Sequence, residues 1–154
     1  MMLHTIGRVH ANAGAFRVEI EANYRQGLVA LDGFSHLLVL WWADQVSRGD
    51  TETLIEKPYR NGPEQVGVFA TRAEARPNPL LVSVVAIEHI DGGSGRVTVP
   101  WIDAAHGSPV LDLKPYQPCV DRVRDAQVPA WCADWPQWYE DSAMFDWASV
   151  LTFE

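Results

Sequence analysis

Along most of the chain apolar residues recur at every second position or in short unbroken runs, and only rarely at helical spacing. Phe16, Val18 and Ile20 alternate with Arg17, Glu19 and Glu21, which predicts a strand with one wet face. Leu37-Leu38-Val39-Leu40-Trp41-Trp42 is apolar at every position and predicts a strand covered on both sides. Residues 66–69, 81–90 and 96–101 read as further strands, the last two joined by Asp91-Gly92-Gly93-Ser94-Gly95 as a hairpin turn. That turn has neither GxGxxG spacing nor a following helical pattern, so it does not read as a phosphate loop. Val110 to Lys114 alternates again. Helical spacing is confined to two places. Tyr24, Leu28 and Leu31 follow a candidate Asn23 cap, and Trp131, Trp135 and Trp138 fall at i, i+4 and i+7 until Pro136 interrupts them. Many short strands between Gly and Pro residues predict a mainly β fold, a small barrel or sandwich.

Length and charge narrow this picture. A chain of 154 residues is expected to form one domain, and 47% hydrophobic against 21% charged residues excludes a disordered chain. The longest strongly apolar run, Leu37 to Ala43, is far shorter than the roughly 20 residues a helix needs to cross a bilayer. No basic segment followed by an apolar one opens the sequence, so no signal peptide is expected. The charge is −8, and it is unevenly placed. From Asp125 onward there are acids but no Lys or Arg, an acidic tail that repels phosphate. Cys119 and Cys132 form no CxxC knuckle and His4, His10, His36, His89 and His106 form no HxxxH pair. No metal site is expected, and reduced thiols in a cytoplasmic setting are the expectation.

Three segments carry candidate chemistry. In Thr71-Arg72-Ala73-Glu74-Ala75-Arg76-Pro77-Asn78-Pro79 the prolines stiffen a loop bearing two guanidinium groups, suited either to an anion or planar heterocycle or to a plain rigid connector. Trp101-Ile102-Asp103-Ala104-Ala105-His106-Gly107-Ser108-Pro109 combines a carboxylate with small residues that let a ligand approach the backbone. It runs into Val110-Leu111-Asp112-Leu113-Lys114-Pro115-Tyr116, where Asp112 and Lys114 share a face, as a functional pair or as a surface ion pair. His36, in Asp32-Gly33-Phe34-Ser35-His36, is a base or a satisfied structural histidine. The tryptophan stripe of the tail is a ligand cage or a core lid.

Leu31-Asp32-Gly33-Phe34-Ser35-His36-Leu37, Gly67-Val68-Phe69-Ala70-Thr71-Arg72, Arg76-Pro77-Asn78-Pro79 and Gly107-Ser108-Pro109-Val110-Leu111-Asp112-Leu113-Lys114-Pro115-Tyr116 together resemble the TsaA-like, or TrmO-like, family of S-adenosylmethionine-dependent methyltransferases. The ending resembles a short single-domain branch of it, through Val128-Pro129-Ala130-Trp131-Cys132, Asp134-Trp135-Pro136 and Glu140-Asp141-Ser142-Ala143. The resemblance implies a single small β-barrel-like domain over residues 1–124, with an acidic Trp-rich C-terminal extension over 125–154 packed on the same domain. It implies a homodimer, S-adenosylmethionine as cofactor, and N6-methylation of threonylcarbamoyl-adenosine in tRNA or of a smaller related acceptor. Arg72, Leu80, Leu81, Asp103, Ala104, Ala105 and His106 would line the cofactor, and Arg76, Asn78, Lys114 and Tyr116 would lie nearer the acceptor. The chain departs from the family pattern at Asp44, at Leu80-Leu81 and at His106, and its N-terminal loop near Ala11 to Gly14 lacks the Pro and basic residues of many relatives. Two other readings follow from these features. One is a non-catalytic adenosyl-ligand-binding module of the same fold. The other is a cofactor-free nucleic-acid-binding barrel, which needs a basic face strong enough to outweigh the net charge.

Overall fold

A computed structural model describes residues 2–46 and 53–152. The fold is mainly β, with nine strands and only short helical turns among the described residues. They divide into two compact units, one formed by Met1–Arg48 and Asn78–Arg122, the other by Gly49–Pro77 and Val123–Glu154.

The first is a sheet unit. Its strands are β1 (Gly7–Asn12), β2 (Ala15–Ile20), β3 (His36–Trp42), β6 (Leu80–Ala86), β7 (His89–Asp91), β8 (Arg96–Val99) and β9 (Pro109–Pro115); β4 (Leu54–Glu56) and β5 (Gln65–Gly67) belong to the second unit. The order across the sheet is β6-β3-β9-β1-β2-β8-β7, each pairing antiparallel. The edge strands β6 and β7 do not pair with each other among the described residues. Inward positions fill one core: Val9, Val18, Leu37, Val39, Trp41, Val85, Val97, Val99 and Val110 are all buried. β1 and β2 are joined by Ala13 and Gly14, both at positive φ, the two-residue hairpin geometry that matches strand twist. Gly95 closes the β7–β8 hairpin at φ 77. A Cβ there would meet the Ile20 carbonyl oxygen at 2.5 Å, so only glycine fits.

The pattern erred in instructive places. The strand expected over 81–90 is two, because after β6 the chain leaves β3 and takes β8 as partner through β7. The strand expected over 66–69 ends at Gly67 and tightens into a 3₁₀ turn, Val68–Ala70. The helix expected from Asn23 is a 3₁₀ turn, Ala22–Leu28, preceded by Glu21 rather than capped by Asn23. It stops where Ala30 takes a positive φ. β3 is buried on alternate positions only, with Leu38, Leu40 and Trp42 half-buried on its outer side. No described helix is long and apolar enough to cross a membrane.

In the second unit β4 pairs with β5, and the tail supplies three 3₁₀ turns, Ala130–Cys132, Tyr139–Met144 and Trp147–Ser149. Their rings pack as a chain. Tyr59 stacks on Trp131 at 4.9 Å, Trp135 meets both edge-on, and Trp147 links Trp135 to Phe145. Of the tryptophan stripe, Trp131 and Trp135 therefore sit in a small aromatic core while Trp138 is exposed.

Candidate functional site

β3 and β6 run side by side with Trp41 and Ser83 both pointing inward, 1% and 6% exposed. The Trp41 indole Nε1 donates to Ser83 Oγ at 2.8 Å. Ser83 in turn donates to Asp103 Oδ1. One oxygen of an otherwise exposed carboxylate is thereby fixed by a buried chain of donors, and the other has no hydrogen-bond partner among the described residues. Ile102 and Ala104, each 3% exposed, anchor the backbone on both sides of Asp103. A carboxylate held in this way costs little further ordering when a ligand hydroxyl or ammonium meets it.

The residues that follow are stitched to neighbouring strands. Gln45 Nε2 donates to the His106 carbonyl at 2.8 Å. The Ala11 backbone N–H reaches His106 Nδ1 at 3.4 Å. Arg8 donates to the Gly107 carbonyl at 2.9 Å, and the Gly107 N–H to that of Val9 at 2.8 Å. Gly107 has φ +89, so the chain can turn there at no steric cost. The His106 ring meets His10 edge-on at 5.3 Å, and His10 Nε2 lies 3.2 Å from Glu19. Burial and the Arg17 charge hold the His10 imidazole below its ordinary pKa, against the upward pull of Glu19. Leu81 is buried opposite Trp41, Leu80 is exposed opposite Trp42, and the Pro79 carbonyl accepts from Ala43 at 2.9 Å.

Of the residues expected at the cofactor, the sheet unit thus gathers Leu80, Leu81, Asp103, Ala104, Ala105 and His106 around the β6 start and the segment before β9. Sequence reasoning missed Ser83 and Gln45. A lone hydroxyl inside the apolar run 80–86, and an amide just beyond the apolar run of β3, were the available signals. Asn78 enters through its carbonyl, which accepts from Leu80 N–H at 2.7 Å. Lys114 and Tyr116 lie elsewhere. The β3–β9 register sets Lys114 opposite Leu38, and Tyr116 N–H bonds the His36 carbonyl at 3.0 Å. Both are at the start of β3, whereas Val110, just after the Gly107 turn, pairs with Trp41 at its end. Lys114 forms a 2.6 Å ion pair with Asp112, whose hydrogen bond and charge raise its pKa, and the Tyr116 ring meets His36 edge-on at 6.4 Å.

In the second unit, Thr71 is buried, donates to the Val68 carbonyl at 2.9 Å and accepts from the Ala73 N–H. Arg76 bends back onto its own loop, reaching the Thr71 and Ala73 carbonyls at 3.4 Å each. Arg72 follows the buried Thr71 on the same loop. Cys119 is a free exposed thiol and Cys132 a free buried one. No cluster of three metal-ligating side chains occurs among the described residues.

The family model for the tRNA-methyltransferase O N-terminal domain matches residues 7–122. A probable S-adenosyl-L-methionine-binding protein of Halobacterium salinarum is 39% identical over 66% of this chain and 75% of its own length. The tRNA (adenine(37)-N6)-methyltransferase of Escherichia coli is 31% identical over 78% of this chain, which spans only 52% of that protein. Among solved structures, TrmO from Pseudomonas aeruginosa superposes with a TM-score of 0.64 at 30% identity, covering 82% of this chain and 60% of that one. The family model covers the sheet unit from β1 to the end of β9, the segment that holds Asp103 and His106. On these grounds the chain belongs to the family of the tRNA-methyltransferase O N-terminal domain.

Proposed function

We propose that the protein is an S-adenosylmethionine-dependent methyltransferase whose cofactor is held by the segment Asp103, Ala104, Ala105 and His106 with Leu80 and Leu81 beside it. The observation that carries this reading is the Trp41–Ser83–Asp103 chain, which presents one free carboxylate oxygen on an anchored backbone. The donor set fits the group: a carboxylate suits the ribose hydroxyls or the ammonium of the cofactor, and small Ala104 and Ala105 leave the backbone accessible. When bound, the cofactor supplies an electrophilic methyl on a sulfonium. The chain's own part is to orient, since holding two reactants at a near-attack distance can supply roughly 7–11 kcal/mol.

The acceptor belongs to the same proposal. The named relatives favour an adenine N6 in tRNA, in the threonylcarbamoyl form or in a smaller related molecule. Arg72 is assigned to an anionic group of the cofactor, Arg76 and Asn78 to the acceptor, and Lys114 and Tyr116, at the start of β3, to a part of the acceptor farther from the cofactor segment. Replacing Arg72 with Lys loses the planar fork and weakens cofactor binding; unchanged affinity removes that assignment. A homodimer in the cytoplasm completes the reading. It is supported by the outer side of β3 and β6, where Leu38, Leu40 and Val84 are only half-buried although apolar. A second copy covering that side would account for the two-sided apolar pattern of β3. The barrel-like wrapping of residues 1–124, with 125–154 as an extension packed on the same domain, stands as part of the proposal; within the second unit the rings of the extension pack on Tyr59.

Calorimetric titration with S-adenosylmethionine and S-adenosylhomocysteine tests the pocket. Saturable binding near one site per chain, weakened about tenfold or more in Asp103→Asn, is the expected result. Steady-state methyl transfer to tRNA and to small adenine or amine acceptors then separates the enzyme from a non-catalytic binding module, the reading that His106 and Asp44 would favour.

A further inference from the structure

The outer face of β1, β2, β8 and β7 carries an arrangement that the Trp41–Ser83–Asp103 chain does not draw on. While Val9, Val18, Val97 and Val99 point into the core, the alternate positions point outward. Register lines them up in two rows: Arg8, Glu19, Arg96 and Asp91 in one, His10, Arg17, Thr98 and His89 in the next. In a chain whose net charge is −8, three of the arginines are set on one small face.

Over the paired strands β2 and β8, toward the Gly14 and Pro100 end, lies a concavity of about 570 Å³, lined among others by Gly14, Phe16, Arg17, Glu88, Arg96 and Thr98. That volume lies within the usual range for a small-molecule site. The Nε of Arg17 is buried and has no hydrogen-bond partner among the described residues. Glu19 is at ion-pair distance, 3.5 Å from that nitrogen, but without hydrogen-bond geometry, and its same oxygen lies 3.2 Å from His10. The Arg17 Nε is sealed from solvent, but the Arg17 side chain as a whole is 35% exposed, so the rest of its guanidinium is the part an oxyanion in the cleft would meet. The positive field here is also felt by His10. Burial first, then Arg17, with smaller contributions from His106 and Arg96, keeps its imidazole below the ordinary range although Glu19 pulls the other way.

The lining is not purely cationic. Glu88 stands exposed on the cleft, so a bare anion meets repulsion there, whereas a ligand that carries hydroxyl donors next to its anionic group does not. Two guanidinium forks match phosphate oxygens in bidentate fashion, the Thr98 hydroxyl adds a donor, and Phe16 adds apolar surface.

We propose that this cleft is a ribose-phosphate site, in which Arg17 and Arg96 take the phosphate and Glu88 accepts a sugar hydroxyl. A free ribonucleotide and one nucleotide of an RNA strand present the same chemistry. The site lies on the outer face of β2 and β8, whereas Asp103 hangs from the inward Trp41 and Ser83, and parallel S-adenosylmethionine titration separates its failure from that of the methyltransferase reading.

The test is calorimetric titration of the full chain with AMP, with orthophosphate and with a short single-stranded RNA, at low and at physiological salt. A double variant, Arg17→Gln with Arg96→Gln, is compared with a charge-matched control, Arg122→Gln with Arg124→Gln. S-adenosylmethionine binding and thermal melting run in parallel to report on the cofactor pocket and on folding. The expected result is binding of AMP or RNA that the double variant loses by about tenfold or more while the control keeps it. AMP binding assigns a free nucleotide; RNA binding without AMP binding, falling steeply with salt, assigns a strand. In Glu88→Gln, orthophosphate should bind more tightly and AMP more weakly. Absence of binding for both AMP and RNA, or equal losses in the two double variants, overturns the proposal. Orthophosphate binding as tight as AMP overturns the ribose half of it.

Discussion

The sheet unit and the second unit keep their residues in place by different means. In the first, backbone ladders on both sides of β3, β9, β1, β2 and β8 fix the strands, and a core dominated by valine and leucine fills the inner face. In the second, one short strand pair and several 3₁₀ turns leave little ladder, and Tyr59, Trp131, Trp135, Trp147 and Phe145 hold one another by ring edges and faces. The contrast extends to polar groups. Asp103 is oriented by a donor chain that starts in the core, whereas Arg76 turns one terminal nitrogen, Nη1, onto two carbonyls of its own loop at 3.4 Å each. A carboxylate set from within is preorganised for a ligand; an arginine held by one nitrogen at long distance is oriented only loosely. The difference teaches that the ladder-built unit is where geometry is fixed before binding.

The largest blow to this contrast is Trp41→Ala, which empties a fully buried position and removes the donor to Ser83 Oγ; a loss of about 3–5 kcal/mol is expected in denaturant unfolding. In the second unit Trp135→Ala removes three ring contacts but from a half-buried position. It should cost less, about 2 kcal/mol. Equal losses in the two variants would mean that the aromatic chain matters as much as the sheet core. Ser83→Ala is subtler, since it leaves the Trp41 N–H and the Asp103 oxygen without each other's relay. About 1–3 kcal/mol of stability should go, together with roughly tenfold in S-adenosylmethionine affinity. Lost stability with intact affinity would reduce Ser83 to a packing residue.

A smaller effect is set by pH. The folded protein holds His10 below its unfolded pKa, chiefly through burial, so it binds protons less readily than the unfolded chain as pH falls below about 6.5. The stability attached to neutral His10 is complete above that value and is lost as pH drops toward the folded pKa. His10→Gln should flatten the acid side of a melting-temperature profile, and an unchanged profile would assign the acid sensitivity elsewhere. Least visible of all, Cys119 should alkylate readily in the native state while Cys132, buried and with a raised thiol pKa, waits for local opening.

Strands with strong alternation or continuous apolar runs were legible in the sequence, as was the glycine hairpin at Asp91 to Gly95; of the motif segments, the sheet unit brings Leu80-Leu81 and Asp103 to His106 together while Lys114 and Tyr116 sit at the start of β3. β1 was not, because Gly7, Arg8, Val9, His10, Ala11 and Asn12 offer one strong apolar side chain and are made a strand by two neighbours, β2 and β9. The break at Ile87 and Glu88 was invisible for the same reason: local residues allow a continuous strand, and a change of pairing partner interrupts it. The donor chain from Trp41 depends on a register that no spacing along one strand reveals. The place of Lys114 and Tyr116 at the start of β3 was likewise a matter of pairing, set by β9 running antiparallel to it.

Residues Val150 to Thr152 return to the backbone of Pro58 to Arg60 through the Tyr59–Leu151 bridge, and Thr152 reaches the Lys57 carbonyl across 95 positions of chain. On a ribosome adding about 5–20 residues per second, the sheet unit has all its strands once residue 122 is out, and the segment around Tyr59 waits seconds longer for its partners. During that interval Tyr59 is an unsheltered ring, waiting for Trp131, Trp135 and the segment of Leu151 to be made.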